Sequence, residues 1–144
     1  MYNPETVAPC GLYCGVCGIY MATAGGDEEL KGKLAKAYGV SPADILCRGC
    51  RSDTVFMYCK VCGIKACTAE KGIEGCHLCD AFPCGKVEAF PVAEGKKNIL
   101  RAVPRWREIG TEKWVEEEEK LSTCRSCGNR MFRGAKKCRS CNPL

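Results

Sequence analysis

The chain has 144 residues, of which 15 are Cys and one is His, and 46% are hydrophobic when Cys is counted among them. Setting the thiols aside leaves about 36% conventional apolar residues, too thin a supply for an ordinary hydrophobic domain, and no apolar run approaches the ~18 residues of a membrane span. The net charge of +5 belongs to residues 122–144, which carry Arg125, Arg130, Arg133, Lys136, Lys137 and Arg139 and no acid, so the remainder stands at −1.

In chain order, Cys10, Cys14 and Cys17 come first, followed by Ile19, Tyr20, Met21 and Ala22, an apolar run that opens a short helix broken at Gly25 and Gly26. From Asp27, Leu30, Leu34, Ala37 and Tyr38 recur at helical spacing, with acids first and lysines later, as the helix dipole prefers. Gly39 is the expected stop, and Ser41 with Pro42 begins a new turn. Residues 47–84 are dense in Cys and poor in periodicity, which predicts knuckles and short turns. Residues 85–121 contain no Cys. There Ile99, Leu100, Val103 and Trp106 form an apolar face interrupted by Pro104, where a kink or helix restart is expected. Thr111 is the expected N-cap of a last helix, with Glu116 to Glu119 as its solvated face and Trp106 and Trp114 as core anchors.

A Cys content this high marks either a disulfide scaffold or a metal scaffold. The thiols are odd in number and fall in tight Cys-x-x-Cys pairs. The N-terminus, MYNPETVAPCGLYCGVCG, lacks the basic stretch and apolar run of a secretory signal. A soluble cytoplasmic metalloprotein without membrane association is the resulting expectation. Metal loading changes its charge: four zinc ions on fifteen thiolates would turn +5 into −2, yet leave residues 122–144 at about +4.

The segment CRSCGNRMFRGAKKCRSC is the sharpest motif. Cys124, Cys127, Cys138 and Cys141 form two knuckles ten residues apart, the spacing of a closed tetrahedral zinc site, and Gly128 suits the positive φ of such a turn. It is similar to the small zinc ribbons appended to microbial proteins. Upstream, Cys59, Cys62 and Cys67 recur as Cys76, Cys79 and Cys84, displaced by 17 residues, and Cys47 and Cys50 precede both units. In one partition, Cys47 and Cys50 each complete one unit, leaving Cys10, Cys14 and Cys17 to be completed by His77. In another, Cys47, Cys50, Cys59 and Cys62 close one site; the sequence leaves both open. His77 lies inside a knuckle, where side chains point away from the metal, so it is only a possible ligand. Cys10, Cys14 and Cys17 have the spacing with which radical S-adenosylmethionine enzymes hold a cluster, but the ~250-residue barrel those enzymes use exceeds this chain. Zinc, about three to four ions per chain, is the expected metal, with an iron–sulfur cluster within residues 10–84 as the alternative.

The motifs APCGLYCGVCGIY at 8–20, CRGC at 47–50, YCKVCGIKACTAEKGIEGCHLCDAFPC at 58–84 and REIGTEKWVEEEEK at 107–120 together resemble the cysteine-rich microbial family catalogued as domain of unknown function 3795. The resemblance implies a small cytoplasmic prokaryotic protein with metal-binding cysteines and implies no activity.

The expected fold is small, metal-stabilised and irregular α-rich, helices plus Cys knuckles, with a C-terminal zinc-ribbon β-hairpin. Its domains are 1–121, with a helical bracing segment at 85–121, and the basic ribbon at 122–144. The expected function is a non-catalytic zinc-binding or adaptor module that meets a protein partner or nucleic acid through the ribbon. A redox or electron-transfer protein is the alternative. The sequence offers no Gly-rich phosphate loop, Ser/His/Asp set or paired acid-base carboxylates.

Overall fold

The computed structural model describes residues 2–60, 62–133, 135, 138 and 141, with the side chain of Tyr58 left aside. The described residues are helix-rich, with α1 at Gly18–Gly25, α2 at Glu28–Tyr38, α3 at Gly63–Lys71, α4 at Gly85–Glu88, α5 at Ala93–Ile109 and α6 at Thr111–Leu121. Single 3₁₀ turns at Pro4–Thr6, Cys14–Val16, Pro42–Asp44, Met57–Cys59 and Cys76–Leu78 carry the chain between them. No candidate membrane-spanning helix occurs among the described residues.

The first two helices follow the sequence closely. Gly26 ends α1 at φ 59°, and Gly39 ends α2 at φ 71°, left-handed positions that glycine adopts without steric cost. The Asp27 carboxylate accepts from the Leu30 N–H at 3.0 Å, and Ser41 with Asp44 forms a capping box. Helix α3 departs from the expectation of turns alone. Only Ile64 and Thr68 are buried along it, a spacing too sparse to register as a period.

Helix α5 runs through Pro104 as one segment. The proline withholds one backbone bond, but the complete burial of Ile99, Ala102, Val103 and Trp106 holds the helix together on both sides of it. Thr111 is not a side-chain cap. Gly110 occupies the N-cap position at φ 85°, while the Thr111 hydroxyl accepts from Trp106 Nε1 at 2.9 Å and donates to Glu74 at 2.9 Å. The acidic run on α6 is also less solvated than expected. Glu118 is buried and receives both Arg101 guanidinium nitrogens at 3.0 and 3.1 Å, Glu117 pairs with Arg105, and Glu119 accepts from the Tyr13 hydroxyl at 2.8 Å.

Three apolar clusters make up the core. One gathers Trp106 and Trp114, stacked at 4.5 Å, with Val7, Tyr13, Val16, Ala102 and Val115. A second packs Ala8, Ile64, Val87, Ile99 and Val103 against thiols, and a third packs Ile19, Ala22, Leu30, Ala35, Ile45 and Phe56 against others. Both tryptophans are fully buried, as expected of anchors; aromatic rings of this size remove on the order of 150–250 Å² each from water.

Beyond residue 121, the described residues contain no strand, only an isolated antiparallel bridge between Thr123 and Arg130. Most of the return arm of the expected hairpin, including Lys136, Lys137 and Arg139, lies outside the described residues. Arg133 bonds back to the helical region, its N–H to the Val16 carbonyl at 2.6 Å and Nη1 to the Tyr13 carbonyl at 2.8 Å, while Phe132 packs against the third cluster.

Candidate metal centre

The knuckle that begins at Cys124 is shaped by its backbone. Gly128 takes φ 77° and donates its N–H to the Cys124 carbonyl at 2.9 Å, and the Cys124 N–H returns to Asn129 at 2.9 Å. This tight reversal presents Cys124 and Cys127 together. The sulfurs of Cys124 and Cys141 stand 3.6 Å apart, those of Cys127 and Cys138 3.5 Å apart, and all four ligand atoms lie within 4.8 Å of one another. A tetrahedron with metal–sulfur bonds of about 2.3 Å has sulfur–sulfur edges of about 3.8 Å, so this set fits one ion. Hydrogen bonds from the Cys127 and Ser126 backbone hold the Cys124 thiol down at about 6, whereas the hydrogen bond with Cys124 pushes Cys141 up to about 12. One thiolate is thus ready for a cation, and binding would draw protons from the others.

The eleven thiols at 10–84 are arranged differently. Among the described residues, the ribbon's four cysteines are the one set of three or more potential ligands whose atoms all lie within 4.8 Å. Cys67, Cys76, Cys79 and Cys84 line one pocket with Ile64, Val87 and Lys71, and Lys71 Nζ lies 3.2 Å from the Cys79 sulfur. The second unit of the 17-residue repeat therefore gathers around Cys67. The first unit disperses instead, since Cys59 packs with Cys17 and Cys47 in the third cluster, while Cys62 packs in the second with Cys10, Cys14, Cys50, Cys76 and Cys84.

The thiols act on one another across the two clusters. Burial, with the Cys62, Cys50 and Cys76 thiols beside it, pushes Cys10 up to about 12; burial, with Cys17, Cys47, Cys50 and Cys62 nearby, does the same to Cys59. A hydrogen bond with Cys14 lowers Cys50 to about 7, with Lys65 and Arg51 assisting. Backbone N–H groups near Ala81 hold the Cys79 thiol below its usual range, with Lys71 as a further cause. Helices α1 and α3 begin directly after Cys17 and Cys62, whose side chains make no cap bond, so positive helix ends adjoin both sulfurs.

His77, the possible sixteenth ligand, is buried and stacked on Trp106 at 3.6 Å, with Nε2 3.2 Å from Glu74 and Nδ1 without a hydrogen-bond partner. Burial is the largest cause holding its pKa below the usual imidazole value. No motif or spacing marks the polar seam around it, in which Arg107 binds the carbonyls of His77 and Cys79, and Arg51 those of Val7 and Glu74. These arginines tie the Cys-rich loops to α5 and to the N-terminal segment.

Neither the curated proteins nor the solved structures contain a significant match to the chain. A family profile matches residues 6–89, a span that holds all eleven N-terminal cysteines and leaves the four of the ribbon outside. The chain belongs to the family described as "Protein of unknown function (DUF3795)".

Proposed function

We propose that the protein is a non-enzymatic, metal-stabilised binding module whose ribbon holds one structural zinc ion. The observation that carries this reading is the four-thiol cage of Cys124, Cys127, Cys138 and Cys141, with sulfur pairs at 3.5 and 3.6 Å. Zinc closed by four thiolates has no position for water, so its contribution is to fold the segment. The pocket lined by Cys67, Cys76, Cys79 and Cys84 is the place we assign to a second metal ion, on the strength of four thiols, two of them a Cys-x-x-Cys pair, lining one recess.

The same reading gives the module a protein partner in the cytoplasm. Two of the ribbon's cations already face the chain's own groups, Arg130 with Glu119 at 3.5 Å and Arg133 with the Tyr13 carbonyl, which weakens a nucleic-acid role for the basic segment. Two measurements test these proposals. Cobalt substitution of the intact chain should yield the intense charge-transfer bands of a tetrathiolate site, and C124S/C127S should lose about one ion per chain; an unchanged metal count would refute the ribbon site. DNA or RNA binding that weakens steeply with salt would refute the choice of a protein partner.

A further inference from the structure

We propose that Trp106, Trp114 and Tyr13 form a relay that draws oxidising equivalents away from the Cys76–Cys79 loop and delivers them to the Tyr13 hydroxyl, where the Glu119 carboxylate takes the proton. The oxidant it disarms is a thiyl radical, the one-electron oxidised form of a cysteine thiolate.

The first support is continuity. The imidazole of His77, which lies between Cys76 and Cys79 in the chain, stacks on Trp106 with ring centroids 3.6 Å apart and planes 14° from parallel. Gly75, directly before Cys76, lets the edge of the Trp106 ring lie against its backbone, where a side chain would collide. Trp106 in turn stacks on Trp114 at 4.5 Å, again at 14°, and Trp114 meets Tyr13 edge-on at 6.0 Å. The three rings belong to one buried cluster, so an electron passes between aromatic systems in contact and shielded from water.

The second support is direction. Loss of an electron makes a phenol a far stronger acid than it makes an indole, so the oxidising equivalent settles on a phenol that has a base beside it. Trp114 Nε1 is buried with no hydrogen-bond partner among the described residues, and Trp106 Nε1 donates to the Thr111 hydroxyl at 2.9 Å, reaching the Glu74 carboxylate only through it. Tyr13 donates directly to a carboxylate oxygen, Glu119 Oε2 at 2.8 Å, with Arg130 Nη1 3.5 Å from the same oxygen. Glycine at position 15 leaves room for that phenol end, which a side chain would overlap. The thiyl radical accepts one electron from Trp106 and becomes a thiolate, Trp114 refills Trp106, Tyr13 refills Trp114, and the Tyr13 O–H bond breaks as its proton passes to Glu119. An electron from a small reductant such as ascorbate, with the proton returned by the partly exposed Glu119, restores the phenol.

This inference rests on the aromatic stack and not on which metal the thiols hold, so its test is separate from that of the ribbon. Laser flashes at the red edge of tryptophan absorption photoionise Trp106 and Trp114, the chain's two tryptophans, in the intact protein, and transient absorption follows the indole radical. In the wild type that radical should decay into a tyrosyl radical, more slowly in heavy water than in light water. In Y13F the tyrosyl signal should be lost and the indole radical should persist. Decay without tyrosyl growth in the wild type, or a tyrosyl yield unchanged in Y13F, would overturn the relay. E119Q keeps a hydrogen-bond acceptor but not a base and should slow tyrosyl formation; an unchanged rate would overturn the proton transfer to Glu119. The wild type alone decides should a variant fail to fold, since equal rates in light and heavy water would also overturn that transfer. The sulfur end is read by mass spectrometry after anaerobic radiolysis with azidyl radicals and ascorbate. Y13F should accumulate oxidised Cys76 and Cys79 where the wild type is spared, and equal oxidation of the two proteins would overturn the protective role.

Discussion

Gly75→Ala provides a stringent test of how the Cys-rich loops are seated on α5. Gly75 is extended, φ −172°, so alanine meets no backbone penalty and the whole effect is steric. The added methyl would collide with Cη2 of Trp106, stand 2.7 Å from Cζ3 and 3.0 Å from the Pro9 carbonyl. Trp106 has no room to yield: it is fully buried, stacked on His77 at 3.6 Å and Trp114 at 4.5 Å, and bonded through Nε1 to Thr111. The Pro9 carbonyl is equally committed, because it accepts the Cys76 N–H at 2.8 Å and so joins the Cys10 segment to the Cys76 knuckle. Overpacking of this kind costs about 2–3 kcal/mol, and at about 3 °C per kcal/mol the melting temperature falls by roughly 6–9 °C. Gly32→Ala supplies the opposite sign, since Gly32 lies inside α2 facing open space, and gains about 0.5–1 kcal/mol. Thermal unfolding of metal-saturated protein followed by circular dichroism reads both. G75A melting within about 2 °C of the wild type would refute the packing derived for Trp106.

Tyr13→Phe removes the bond from the Tyr13 hydroxyl to Glu119 and should cost about 1–1.5 kcal/mol at neutral pH, measured by urea unfolding. Burial, then Glu119, raises the Tyr13 pKa above its ordinary value of about 10, so the wild type loses stability as alkali ionises the unfolded chain first; Y13F should lack that decline above about pH 10. Glu118→Gln removes the buried carboxylate that pairs with the exposed Arg101 and should cost about 1 kcal/mol, while R101M/E118M should recover most of the loss. Arg133→Ala breaks the bond to the Tyr13 carbonyl and should speed proteolytic release of the ribbon without changing the helical signal; an unchanged cleavage rate would contradict the docking.

The helices that sequence reading located best were those with both a stop residue and a face. Asp27, Gly26 and Gly39 are punctuation whose physical roles do not depend on tertiary context, and the Leu30 face did the rest. Ribbon chemistry was legible for a similar reason, as two short knuckles and Gly128 constrain one another locally. Thr111 was misplaced because its hydroxyl serves Trp106 and Glu74, partners 5 and 37 residues away that no capping rule anticipates. The acidic face of α6 was misread because Arg101, Arg105 and Tyr13 come to it only through the fold. The repeat at 59–67 and 76–84, identical in spacing, is unlike in space because tertiary packing, which spacing does not encode, puts Cys59 in the third cluster and Cys62, Cys76 and Cys84 in the second.

Metal content of the intact chain, purified without oxygen and compared with C124S/C127S, tests the central claim most directly. Zinc bound to the wild type and reduced by about one ion per chain in the variant, with the α-helical signal retained, is the result expected of a ribbon closed by four thiolates. Wild-type and variant protein binding the same amount of zinc would contradict it.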